Sequence, residues 1–129
     1  MILVDSSVWI AQLKGRTTPA TVKLEAAAAR EPLLIVDLIL LEVLQGARDE
    51  VHAARIERAL RQYAIVQLLG ADLAVQAARN YRKLRTLGIT VRKTADIIIG
   101  TFCIEHHHTL LHDDRDFDPM QKHLGLEVV

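Results

Sequence analysis

The chain has 129 residues, of which 50% are hydrophobic and 25% are charged, and its formal net charge is zero. These values are ordinary for one globular domain, which we expect to span residues 1–129. A chain of this length can bury a stable core without disulfide bonds or structural metal ions. A single cysteine, Cys103, excludes an intrachain disulfide, and the apolar runs are too short to cross a membrane.

Three elements are predicted at the start of the chain. The apolar residues 1–4 are typical of a buried strand. Residues 8–13 are predicted to form a helix, with Ser6 or Ser7 as its cap and Gly15 as its stop. A threonine–proline pair then opens a second helix, residues 18–30.

A second strand and a third helix follow the helix-breaking Pro32. Residues 33–36 are an apolar run typical of a buried strand. Asp37 is predicted to cap the next helix, which ends near Gly46 and contains Glu42 within an otherwise apolar run. We expect the buried side of this helix to carry Leu38, Leu41, Val43 and Leu44.

Helices dominate the middle of the chain. Residues 49–63 are predicted to form an amphipathic helix, and residues 64–68 a short strand. Residues 72–87 form another helix that ends at Gly88. The stretch 48–93 holds ten Lys and Arg but four Asp and Glu. This basic middle suits contact with a polyanion, although solvated helix faces give the same pattern.

The last third contains a helix that begins at Thr94 or Asp96, a strand at residues 109–112 and a final strand at residues 126–129. Strands that are short and apolar on both faces alternate with helices along the whole length. This pattern predicts an α/β fold with three layers, α/β/α, and a mainly parallel central sheet of four to five strands.

Acidic residues stand where the predicted strands end. Asp5 ends the first strand, and Asp114 follows the strand at 109–112. Glu42 lies in the helix after the second strand, and Asp96 is at the start of a later helix. Ligand sites in such sheets form beyond the carboxyl ends of the strands, so we expect these four acids to converge. Taken alone, Asp96 is better explained by helix capping.

Carboxylates gathered within a few ångströms repel one another, and a divalent cation relieves that repulsion. Their oxygens are hard ligands suited to Mg²⁺ or Mn²⁺. A bound ion lowers the pKa of a coordinated water and stabilises charge on a phosphoryl group. The predicted chemistry is therefore metal-dependent hydrolysis of a phosphodiester.

Four motifs occur in a characteristic order. They are VDSSVWI at residues 4–10, LILLEVLQG at 38–46, TADIIIG at 94–100 and LLHDDRDFD at 110–118. The pattern resembles the PIN-domain family and, within it, the VapC-type toxins of prokaryotic toxin–antitoxin pairs. The resemblance covers residues 2–118 and implies a PIN-like domain.

The resemblance also implies a role for each acid. Asp5, Glu42, Asp96 and Asp114 match the family's four catalytic acids, and Asp116 matches an additional acid that many members carry. All five are candidate ligands of Mg²⁺, with Mn²⁺ as a substitute. The implied function is an endoribonuclease, the toxin of a toxin–antitoxin system, that cleaves RNA with metal-activated water.

The resemblance further implies partners. Members pair with a small antitoxin of the VapB type, usually dimerise, and assemble into toxin–antitoxin complexes that commonly repress their own promoter. We expect the antitoxin to inhibit by placing a chain segment over the carboxylates. With no recognisable signal peptide, we also expect a cytoplasmic protein without membrane contact.

Two residues depart from the family's pattern. His112 stands where Thr or Ser is common, and Asp113 where Asn or Arg is common. We therefore rank the candidate ligands of this loop as Asp114, then Asp116, then Asp113. Ser7 matches a small polar residue that supports the site near the first acid.

Other features suggest competing interpretations. Three consecutive helical histidines at 106–108 cannot converge on one ion, so we expect them to be exposed. A solvated face is the default for the basic helix side, with RNA phosphate contact as the alternative; its members are Arg79, Arg82, Lys83 and Arg85. A haloacid-dehalogenase-like phosphatase would need an acid where Ser7 stands. A non-catalytic α/β module that holds metal and binds a partner protein remains the alternative function.

Overall fold

A computed structural model describes all 129 residues of the chain. It contains four strands, seven α-helices and one 3₁₀ turn at Arg115–Phe117. In chain order the strands and α-helices are β1 (Ile2–Val4), α1 (Ser6–Leu13), α2 (Pro19–Ala28), β2 (Leu33–Val36), α3 (Asp37–Leu44), α4 (Glu50–Leu60), β3 (Ala64–Val66), α5 (Ala71–Thr86), α6 (Thr94–His106), β4 (Thr109–Leu111) and α7 (Asp118–Leu124).

The four strands form one sheet in the order β3-β2-β1-β4, and every neighbouring pair is parallel. At the centre, Leu3 lies opposite Leu34 on one side and Leu110 on the other. All parallel strands end at the same edge, which is where the chain leaves β1 and β4 for the acidic segments. The predicted α/β fold with a parallel sheet is confirmed, with four strands.

Residues of β1, β2 and β4 supply the centre of the hydrophobic core. Every side chain of β1 and β2 is buried. Burial on both faces is what continuous apolar runs require, and each buried Leu or Ile contributes about 1.5–3 kcal/mol. Cys103 is fully buried in α6, as predicted.

Two predictions about helix starts are wrong. The cap of α1 is Asp5 rather than Ser6 or Ser7, because its extended backbone precedes the helix and its side chain accepts a bond from the Ser7 N–H. Asp37 is the first residue of α3 and not its cap. Its carboxylate instead accepts bonds from the backbone N–H groups of Leu38 and Leu68.

The buried face of α3 also differs from the prediction. Ile39 faces the core, whereas Leu41, predicted to be buried, is 57% exposed. The predicted Val43 is buried, and Leu38 and Leu44 are partly buried against the core. The apolar run conceals the period of the helix, since nearly every position is a candidate for burial.

The final strand predicted at residues 126–129 is not formed as a full strand: only Val128 pairs, as an isolated bridge to Leu110.

Candidate active site

The predicted acids lie along the edge of the sheet where the parallel strands end. Asp5 directly follows β1, and Asp114 lies three residues beyond the end of β4. Asp96 is in the first turn of α6, and Glu42 is in α3, which follows β2 without a break. Repulsion from Asp5 acts on Glu42 and on Asp96, so the four acids share one electrostatic neighbourhood.

Three carboxylates form the tightest group, which we call the acidic cluster: Asp96, Asp114 and Asp116. One oxygen from each lies within 4.8 Å of the others. Oxygen atoms at that spacing can share one small divalent ion, because each metal–oxygen bond is about 2.0–2.6 Å long. Asp96 is 6% exposed, and the other two are half-buried.

The 3₁₀ turn holds the two loop acids of the cluster in place. Oδ1 of Asp114 accepts a 2.9 Å bond from the backbone N–H of Asp116. The backbone N–H of Asp114 donates to Nδ1 of His112 at 3.1 Å. The His112 ring packs on the fully buried Phe117, 4.9 Å between ring centroids. This accounts for His112 at a position where the family commonly has a hydroxyl residue.

Asp113 stands apart from the acidic cluster. Its side chain is exposed and forms no hydrogen bond or ion pair, while its backbone N–H donates to the Ser7 hydroxyl at 3.2 Å. The loop therefore presents Asp114 and Asp116 to Asp96 and leaves Asp113 at the rim. This arrangement agrees with the ranking of the three acids, although the identity of the metal ligands stays a prediction.

Asp5 is a buried carboxylate held by its own helix. The Ser7 hydroxyl and backbone N–H donate to its Oδ2 at 2.7 and 3.3 Å. Its backbone N–H donates to the carbonyl of Leu111 at 2.9 Å, which joins the ends of β1 and β4. Burial raises the pKa of Asp5, the hydrogen bonds from Ser7 oppose this, and repulsion from Asp114 adds a smaller increase.

Two buried carboxylate oxygens have no hydrogen-bond partner. They are Oδ2 of Asp96 and Oε1 of Glu42. Burial raises the pKa of Asp96 to about 6, against the opposing effect of Lys93. Burial also raises the pKa of Glu42, and repulsion from Asp5 adds to it. Buried polar atoms are normally satisfied, so two orphaned oxygens at one site fit residues that hold a cation.

A lysine at the site was not singled out by sequence reasoning. Nζ of Lys93 lies 3.1 Å from Oδ2 of Asp114. Burial raises the pKa of Asp114, but the Asp116 N–H and Lys93 outweigh it, so the pKa is lowered overall. The signal available in the sequence was position: Lys93 immediately precedes α6, three residues before Asp96.

An open cavity of about 670 Å³ lies beside the acidic cluster. Its walls are entirely polar or charged and include both basic and acidic groups: Arg92, His112, Asp113, Asp114, Arg115, Asp116 and Asp118. A cavity with two arginines next to clustered carboxylates can receive an anion at the same place that attracts a cation.

The remaining predicted features fall outside this site. The four basic residues of α5 are exposed, as expected. The expectation for the histidines is wrong in part: His106 and His107 are exposed, but His108 is half-buried beyond the helix, with its Nδ1 buried and unpaired. The helix ends because His107 adopts a left-handed conformation, φ 56°.

Burial raises the pKa of the Cys103 thiol to about 12, which makes it a poor nucleophile.

An apolar groove runs between α3, α5 and α6. Leu69 and Ile98 are common to its two parts, of about 440 and 500 Å³. Leu41 and Leu69, which line it, are each more than half exposed. No helix of the chain is both long and apolar enough to span a membrane.

Comparison with known proteins gives concordant matches. The sequence model of the PIN domain matches residues 2–122. Ribonuclease VapC11 of Mycobacterium tuberculosis (strain H37Rv) is 30% identical over 130 residues, covering 99% of this chain and 97% of the relative. A VapC ribonuclease of Mycobacterium bovis matches with the same identity and coverage.

Solved structures show the same fold. VapBC2 from Rickettsia felis, bound to a DNA fragment from its promoter, superposes with a TM-score of 0.78 at 14% identity and covers 100% of this chain and 98% of that one. The sarcin–ricin loop cleaving toxin VapC20 of M. tuberculosis gives 0.67 at 20% identity, with coverage of 92% and 93%.

Proposed function

The chain belongs to the PIN-domain family and is related to its VapC ribonucleases, and from this premise we propose that it is a metal-dependent endoribonuclease, the toxin of a toxin–antitoxin pair. The observation that carries the metal dependence is the acidic cluster. Asp96, Asp114 and Asp116 bring three carboxylate oxygens within 4.8 Å of one another. One buried oxygen of the cluster, Oδ2 of Asp96, lacks a hydrogen-bond partner, and so does the buried Oε1 of Glu42.

Asp96, Asp114 and Asp116 would hold the ion, with Asp5 and Glu42 beside it. A bound Mg²⁺ or Mn²⁺ supplies a Lewis acid and lowers the pKa of water for attack on the phosphodiester. The hydrogen bonds from Ser7 fall on Oδ2 of Asp5, which leaves its Oδ1 to orient the incoming water. We assign to Glu42, whose Oε1 has no hydrogen-bond partner, the role of accepting a proton as the water attacks.

RNA would approach across basic side chains. Arg92 and Arg115 line the cavity beside the acidic cluster, and the exposed basic residues of α5, outside this cavity, would contact more distant phosphates. Arginines suit phosphate contacts because their planar groups bind two oxygens at once. Contacts of this kind hold the backbone in place and weaken as salt rises.

Two protein partners follow from the same proposal. A VapB-type antitoxin would inhibit by presenting a cationic side chain to the acidic cluster, where the excess negative charge favours it. Apolar side chains are exposed along the groove between α3, α5 and α6. Exposed apolar surface of this kind favours contact with another protein chain, and we expect a second copy of the chain to cover it in a homodimer.

The test is cleavage by the purified chain, freed of any partner, on structured RNA with Mn²⁺ or with EDTA. We expect cleavage that EDTA abolishes and that Asp5→Ala and Asp96→Ala remove while the protein stays folded. Glu105→Ala, an exposed acid on the same helix as Asp96, is the matched control and should retain activity. Cleavage that survives both active-site substitutions would contradict the proposal. Metal binding without any cleavage would favour the non-catalytic module.

A further inference from the structure

Lys93 occupies an unusual position for a lysine. It is the residue immediately before α6, and its ammonium reaches across to the loop after β4, 3.1 Å from Oδ2 of Asp114. The side chain is 60% exposed, so most of its length lies in solvent. Such a pair is weak and easily exchanged. Lys93 thus places a mobile positive charge next to a site that would hold a metal ion.

Both oxygens of Asp114 accept a hydrogen bond. Oδ1 accepts the backbone N–H of Asp116, and Oδ2 accepts the Lys93 ammonium. An ion shared by the acidic cluster must therefore compete with Lys93 for Asp114. A divalent ion has twice the charge and contacts three carboxylates, so it should displace the single ammonium.

The charge balance suggests what the displaced lysine does next. Three ionised carboxylates and one divalent ion leave a net charge of −1 at the acidic cluster. A phosphodiester is itself an anion, so a site of that charge repels its substrate. Asp5 and Glu42 add further negative charge beside the cluster. The ammonium of Lys93, tethered within a side-chain length of the cluster, therefore offsets part of the charge that repels the phosphate.

We propose that Lys93 is a substrate-binding residue with two states: it pairs with Asp114 in the metal-free protein, and metal binding releases it to contact the RNA phosphate. This inference rests on the proposed metal-dependent nuclease function. Lys93 should therefore weaken metal binding, because it competes for Asp114, and strengthen RNA binding. These two effects can be measured separately.

The test compares Lys93→Met and Lys93→Arg with Lys14→Met, an exposed lysine at the far end of α1 that serves as the charge-matched control. The first measurement is Mn²⁺ affinity by calorimetry without RNA. Lys93→Met should bind Mn²⁺ about threefold more tightly than the control, as expected for removal of a weak exposed pair. Equal affinities would overturn the displacement step.

The second measurement is the KM and kcat for cleavage of single-stranded RNA at saturating Mn²⁺ over a range of salt concentrations. Lys93→Met should raise KM several-fold with little change in kcat. The negative slope of log(kcat/KM) against log[salt] should become less steep by about 0.7, because one phosphate contact is lost. Lys93→Arg should keep the wild-type slope. An unchanged KM and slope in Lys93→Met would overturn the phosphate contact. If wild-type protein binds no Mn²⁺, the proposed function fails first and this inference with it.

Discussion

The Ser7 hydroxyl donates a 2.7 Å hydrogen bond to Oδ2 of Asp5. The hydroxyl oxygen of Ser7 also accepts a hydrogen bond from the backbone N–H of Asp113 at 3.2 Å. Ser7 therefore connects the acid at the end of β1 to the loop that follows β4 and carries Asp114 and Asp116. The placement of these carboxylates depends on a side chain that would itself touch neither metal nor RNA.

Substitution of Ser7 by Ala should lower kcat/KM for RNA cleavage by about 10- to 100-fold, the range seen when partners of metal-ligating side chains are removed. Ser7→Thr keeps the hydroxyl and should recover most of the activity. Steady-state kinetics at saturating Mn²⁺ would measure both. Full activity in Ser7→Ala would show that Asp5 needs no such support.

Asp96 should make the stability of the metal-free protein depend on pH. Burial raises its pKa from 3.8 to about 6 in the folded state, so the folded protein binds this proton more tightly than the unfolded chain. The associated stability is fully present below pH 4 and is lost as pH rises through 6, by roughly 3 kcal/mol.

The measurement is urea unfolding in EDTA at several pH values, for wild type and Asp96→Asn. The free energy of unfolding of wild type relative to Asp96→Asn should fall from pH 4 to pH 7. With saturating Mn²⁺ the trend should reverse, because the ion binds the deprotonated carboxylate. A pH-independent difference in EDTA would refute the elevated pKa.

Gly100 in α6 should not tolerate a methyl group. A Cβ at this position would collide with Sδ of Met120, whose side chain is fully buried and would have to shift within the packed core. Gly100→Ala should destabilise the protein by about 1–3 kcal/mol despite the better helix propensity of alanine. Unfolding can be followed by fluorescence of the only tryptophan, Trp9.

The control for this prediction is a double-mutant cycle with Met120→Ala. That substitution removes the colliding sulfur, so Gly100→Ala should then be neutral or stabilising. Equal costs in both backgrounds would place the strain somewhere other than at Met120.

A buried hydrogen bond joins α5 to α6: Nδ2 of Asn80 donates to Oγ1 of Thr101 at 3.0 Å. Both residues are buried. Thr101→Val should cost about 1–3 kcal/mol, because it leaves the amide without this partner. Thr101→Ser keeps the acceptor and should unfold at a higher urea concentration than Thr101→Val. The reverse order would show that packing outweighs the hydrogen bond here.

Local patterns predict much of the fold. The apolar run at 33–36 and the threonine–proline pair at 18–19 give β2 and the start of α2 correctly, because short-range burial and capping decide them. The convergence of Asp5, Asp96 and Asp114 follows from topology, since parallel strands end at one edge.

Other features depend on choices that local sequence does not make. Asp5 and Ser7 are both good caps, and only the position of the first turn decides between them. The contact of Lys93 with Asp114 joins residues 21 apart in the chain. A long flexible lysine leaves no periodic signal of its partner, so this contact becomes visible only in three dimensions.

Metal-dependent cleavage requires that the acidic cluster bind a divalent ion. The most direct test is calorimetric titration of EDTA-treated, dialysed protein with Mn²⁺, comparing wild type with Asp96→Asn, Asp116→Asn and the rim variant Asp113→Asn. We predict that wild type binds, that the two cluster variants bind at least about tenfold more weakly, and that Asp113→Asn stays within about twofold of wild type. Absence of binding by wild type, or equal binding by all four proteins, would contradict metal binding by the acidic cluster.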